Sequence, residues 1–125
     1  MKKQAAAEAY DPSKAPFAER EFHYAMIEDF EKVGKQTGYW PHYWLRLVRK
    51  SGGVEAAKQV LSHGEVSDGF LQLRRLGRLD LTLERDILRP RFEELFSEEL
   101  KAKARARLKS YGYRLPDERP DAMRT

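Results

Sequence analysis

Apolar residues return at helical intervals along most of this chain. Phe22, Met26, Phe30 and Val33 are spaced by four, four and three residues, which puts them on one stripe of an α-helix. Gly38 supplies a stop in the left-handed backbone region that glycine enters without a Cβ clash. Pro41 stands where a first-turn proline is tolerated, and Trp44, Leu45, Leu47 and Val48 carry a short second helix to the Gly52-Gly53 pair. Val54, Ala57, Val60 and Leu61 form the next apolar face, closed by Ser62, His63 and Gly64. Ser67 or Asp68 can cap a fourth helix carrying Phe70, Leu71, Leu73 and Leu76, which Gly77 ends.

The second half is more broken. Arg78 to Leu81 is too short for a strand assignment, and Thr82 caps a brief helix with Leu83, Ile87 and Leu88 that Pro90 interrupts. Arg91 to Phe96 reads as one or two more helical turns. Ser97 followed by Glu98 and Glu99 is a strong helix start, because the hydroxyl accepts a free backbone N–H and the carboxylates meet the positive end of the dipole. Leu100, Ala104, Leu108 and Tyr111 mark its buried stripe and Gly112 its end. No period-two alternation occurs, so the pattern predicts an all-α protein, an irregular bundle of six or seven short helices joined by glycine-marked turns. Prolines and charges at the two ends predict a flexible arm over 1–16, a single helical domain over 17–113 and a flexible tail over 114–125.

A chain of 125 residues is long enough for one core without staples, and it has no cysteine to make one. That absence removes disulfides, thiolate nucleophiles and cysteine-ligated zinc, and favours a reducing cytoplasmic setting. No apolar run approaches the roughly 20 residues that span a bilayer, so no membrane partner is expected. The net charge of +4 comes from 24 basic against 20 acidic side chains, an excess that permits polyanion binding without demanding it.

The succession Gly38-Tyr39, Gly52-Gly53-Val54-Glu55-Ala56-Ala57-Lys58, Ser67-Asp68-Gly69-Phe70 with Leu73, Gly77-Arg78-Leu79-Asp80-Leu81-Thr82-Leu83-Glu84, Leu95-Phe96 and Ala104-Arg105-Ala106-Arg107-Leu108 with Tyr111-Gly112-Tyr113 resembles an all-helical domain family of uncharacterised bacterial proteins. The resemblance covers most of the chain. It implies that the glycine-punctuated middle is one structural unit. It carries over no activity and no catalytic residue, and it favours a nucleic-acid context because the family's domain occurs alone or joined to nuclease-type proteins.

Few residues suggest chemistry. His23, His42 and His63 have no second ligand at the spacing of a metal site, and His63 beside Gly64 fits turn chemistry, so neither metal nor cofactor is expected. Gly52-Gly53 lacks the lysine and the preceding strand of a phosphate loop. Asp80 and Glu84 are four apart, but Thr82 as a cap puts Asp80 before the helix and Glu84 in its first turn, and Arg78 is placed to pair with Asp80. No catalytic residue is assigned.

Binding surfaces are better represented. Lys101, Arg105 and Lys109 are four apart on the last helix, and no acid occurs from Lys101 to Pro116. Arg74, Arg75 and Arg78 open a second basic group that continues through Arg85, Arg89 and Arg91, arginine being suited to bidentate phosphate contact. Against this, arginines of a helical protein also cover apolar surface and pair with neighbours such as Glu84 and Asp86. Trp40 and Tyr43 are residue types that stack bases or anchor partners, whereas Trp44 fits a core position. The helices at Val54–Leu61 and Ser67–Leu76 weakly suggest a helix-turn-helix. The sequence therefore leads to a non-catalytic helical module that binds DNA or RNA through phosphate contacts of Arg74, Arg75, Arg78, Lys101, Arg105 and Lys109. The alternative is a protein-interaction adaptor, or small subunit of a larger complex, docking through Trp40 and Tyr43.

Overall fold

The computed structural model describes residues 9–115, and among them the chain forms six α-helices and three 3-10 turns with no strand. The helices are α1 (Phe17–Thr37), α2 (His42–Ser51), α3 (Gly53–Leu61), α4 (Asp68–Arg75), α5 (Leu83–Asp86) and α6 (Glu98–Ser110). The 3-10 turns are Pro12–Lys14, Leu79–Leu81 and Pro90–Leu95. The all-α architecture is thus the one the periodicity predicts, and none of the described helices is long and apolar enough to cross a membrane.

The stops and caps act where the sequence puts them. Gly38 takes a left-handed φ of 82° and its N–H donates to the Gly34 carbonyl at 2.9 Å. The Ser67, Thr82 and Ser97 hydroxyls accept from the N–H of Phe70, Arg85 and Leu100, each satisfying a donor with no partner inside its own helix. The segment around Leu79 that was too short for a strand is a 3-10 turn, and so is the stretch after Pro90.

The main core gathers Phe22, Met26, Val48, Ala56, Ala57, Leu61, Ile87, Phe92 and Phe96, with Phe22 meeting Phe92 and Phe96 edge-on at 4.9 and 5.1 Å. The backbones of α3 and α1 approach closely. Gly53 donates its buried N–H to Nδ1 of the buried His23 at 3.0 Å, and a Cβ on Gly53 would lie 2.8 Å from the His23 Cα. His23 therefore keeps Nδ1 free of a proton, and burial holds its pKa below the ordinary value. A smaller cluster of Phe70, Leu108 and Leu115 joins α4 to the end of α6.

The packed unit extends past both boundaries drawn from the sequence. Tyr10 lies on His23 at 4.8 Å, donates its N–H to the Arg49 carbonyl, and fills the space over Gly52 that a side chain there would occupy. Asp11 caps the turn that Pro12 begins, and Leu115 is buried. The remainder of the expected arm and tail, 1–8 and 116–125, lies outside the described residues.

Candidate binding cavity and the basic helices

The C-terminal half of α1 packs in part, Val33 against Leu73 and Leu81, and in part borders open space. Met26, Asp29, Phe30 and Val33 face a cavity of about 440 Å³ whose other walls come from Tyr39–Trp44, the Ser67–Phe70 start of α4 with Leu73, and Leu81–Glu84 with Asp86. The volume is in the range of small-molecule and side-chain pockets.

Six of the lining residues are aromatic: Phe30, Tyr39, Trp40, Tyr43, Trp44 and Phe70. Trp40 lies against Gly34, where a Cβ would sit 2.1 Å from its ring, and its ring centroid is 5.4 Å from that of Phe30. Trp40 and Tyr43 are nevertheless 39% and 71% exposed, so they form the open rim of the cavity. Trp44 packs against the main core, as its spacing suggested. Burial, and Asp68 close by, push the Tyr39 hydroxyl above its ordinary pKa, so it stays neutral and able to donate.

The carboxylates are the charged groups of the wall. Asp29, Asp68, Glu84 and Asp86 line it, and no lysine or arginine does. Asp86 is buried beside Asp29; desolvation first, then the hydrogen bond and charge of Asp29, hold its carboxyl well above the usual range, against the opposing pull of Arg89 at 3.5 Å. Glu84, 1% exposed, is also pushed up by burial, although Arg107 of α6 stands 3.4 Å away. Sequence reasoning gave Glu84 a helix-dipole role and missed Asp29 and Asp86. The signal for Asp29 was present: it is three residues from Met26 and four from Val33, a carboxylate on the apolar stripe.

The six basic residues assigned to polyanion contact meet different fates. Lys101 is 5% exposed, held by Glu98 at 2.9 Å and the Glu93 carbonyl at 3.0 Å. Arg78 forms the expected pair with Asp80, through two contacts of 3.0 and 2.9 Å, and also reaches Gln36. Arg74 lies over the Tyr111 ring at 5.0 Å, and Arg75 donates to Gln72. Arg105 and Lys109 are exposed and make no ion pair among the described residues. The stacking of Arg74 on Tyr111 brings the basic end of α4 to the C-terminal end of α6. Arg107, two residues beyond Arg105 on the same helix, is buried, and besides Glu84 it donates to the His63 and Glu65 carbonyls.

Other sequence candidates are structural or unassembled. His42 lies 5.3 Å from Phe30 across the cavity wall, and His63 offers only its carbonyl, to Arg107. No three histidine or carboxylate side chains gather as a metal-binding group among the described residues. The helices α3 and α4 do not pack as a helix-turn-helix pair: α3 rests mainly on α2 and α1, and α4 on the Leu79–Leu81 turn. No family model, curated protein or solved structure matches this chain, so its own geometry is what identifies the site.

Proposed function

We propose that this chain is a non-catalytic helical module that docks a protein partner at the aromatic rim formed by Trp40 and Tyr43. The observation that carries the reading is the cavity beneath that rim. An exposed tryptophan and tyrosine open onto about 440 Å³ of space that six aromatic rings help to line, and anchors entering such pockets supply most of the energy of protein interfaces. A photo-crosslinking amino acid at position 43, irradiated in a lysate of the source cells, is expected to form a discrete polypeptide adduct. The same group at position 75 is expected to form none. Absence of an adduct at position 43 overturns the reading.

A second reading, nucleic-acid binding through phosphate contacts, is favoured by the meeting of α4 and α6 at Arg74 and Tyr111. It rests on Arg74, Arg75, Arg105 and Lys109, because Lys101 and Arg78 are already engaged by carboxylates. Anisotropy of labelled duplex DNA, single-stranded DNA and RNA across a salt series tests it. Steeply salt-dependent binding, lost on changing those four residues to glutamate, supports this reading, and no binding at low salt removes it.

A further inference from the structure

We infer that the group the partner inserts is an arginine side chain, its guanidinium meeting the Asp29 and Asp86 carboxyls beneath the aromatic rim. This rests on the protein-docking reading above and names the chemistry of the anchor. The first support is charge. The cavity wall has four carboxylates and no lysine or arginine, in a chain whose net charge is +4. Two of the four remain without a basic partner among the described residues: Glu84 has Arg107 and Asp86 has Arg89, but Asp29 and Asp68 have neither ion pair nor arginine contact.

The second support is the state of the carboxyl pair. Asp86 is only 6% exposed, and burial first, then the neighbouring Asp29, holds its carboxyl well above the usual range. A cation entering the cavity would offset the repulsion between the two acids. Arg89 touches Asp86 at 3.5 Å, and Glu84 in the same wall is paired with Arg107.

The third is shape. Adjacent carboxyls under flat aromatic walls suit a planar donor fork that also stacks, whereas an ammonium is a compact, strongly hydrated charge. The chain's two tryptophans, Trp40 and Trp44, both line the cavity and report its occupancy directly.

The test titrates tryptophan fluorescence of the full chain with acetyl-Gly-Arg-Gly-amide, its citrulline and lysine counterparts, and spermidine. The arginine peptide is expected to bind about tenfold more tightly than the isosteric, uncharged citrulline peptide, the order of a charge-assisted hydrogen bond. Asp29→Asn, at a half-buried position, is expected to abolish that preference with an unchanged melting curve, and Asp86→Asn to do the same wherever its melting curve shows it folded. No fluorescence response, equal binding of arginine and citrulline peptides, a preference that survives Asp29→Asn, or tighter binding of spermidine each overturns the inference. A position-43 adduct would still stand in those cases, so failure of the arginine anchor is distinguishable from failure of the docking reading.

Discussion

The two halves of α1 face opposite kinds of surroundings. Toward its N-terminus Phe22 and His23 meet α3 and the Phe92 and Phe96 rings so closely that Gly53 has no room for a methyl group. Toward its C-terminus Met26, Asp29, Phe30 and Val33 border a cavity, and burial pushes two of the carboxyls in its wall, Asp86 and Glu84, above their ordinary pKa. A single helix with a continuous apolar stripe thus serves as scaffold at one end and as cavity wall at the other. Dense packing contributes stability, and a void with desolvated carboxyls subtracts from it, which is the pattern expected where a fold keeps a binding site.

Truncation should separate the ends most sharply. Phe22→Ala is expected to cost about 3–5 kcal/mol in urea unfolding, the range for a fully enclosed aromatic ring. Phe30→Ala should cost measurably less, since its ring already borders empty space. Equal losses would mean that the cavity is filled or collapsed in solution.

Adding a methyl group probes the same contrast at smaller scale. Gly53→Ala is expected to destabilise by about 1–3 kcal/mol because the opposing atom is the His23 backbone, which has nowhere to move. The atoms nearest a Cβ on Gly34 belong to the Trp40 ring, which stands at the rim and can swing outward. Gly34→Ala should cost less and shift the tryptophan emission, whereas Gly53→Ala should leave the emission of the folded protein unchanged.

Acid and base should act on the two ends with opposite sign. His23 has a folded pKa below the ordinary 6.5, so the unfolded chain binds its proton first and that contribution to stability is lost as pH falls below about 6.5. Asp86 has a folded pKa well above the ordinary 3.8, and Glu84 is raised as well. For these the folded state binds more protons, so their contribution is present at low pH and lost as pH rises through the raised values. Urea melts across pH should show Asp86→Asn flattening the second dependence and leaving the first in place.

The smallest effect belongs to the outer basic face. Changing Arg105 and Lys109 to glutamate should move stability by no more than about 0.5 kcal/mol, as neither is paired or buried. Lys101→Glu should be far worse, since it puts a second acid beside Glu98 at a buried position.

Helices, caps and glycine stops were legible because each depends on residues a few places apart: Ser67, Thr82, Ser97 and Gly38 do what their local chemistry dictates. The cavity was not, because it is made by residues from α1, the Tyr39–Trp44 segment, α4 and α5, and spacing along one helix says nothing of how four elements meet. The same limit explains the arginines. Arg105 and Arg107 look equivalent on a basic helix, yet a rotation of two residues turns one to solvent and the other onto Glu84. Asp29 lies between these cases, visible as an acid on an apolar stripe and uninterpretable until Asp86 is seen beside it. Tyr10 shows the reverse error, a residue in a proline-bounded arm that a glycine elsewhere makes room for.

Hydrogen exchange of the full chain, with and without the polypeptide captured at position 43, tests most directly that the cavity end of α1 is the working surface. Slowed exchange in Tyr39–Trp44 and Ser67–Phe70, with α6 unchanged from Ala102 to Ser110, is the predicted result. Protection confined to α6 and the arginines of α4, with the cavity walls exchanging as in the free chain, would contradict it.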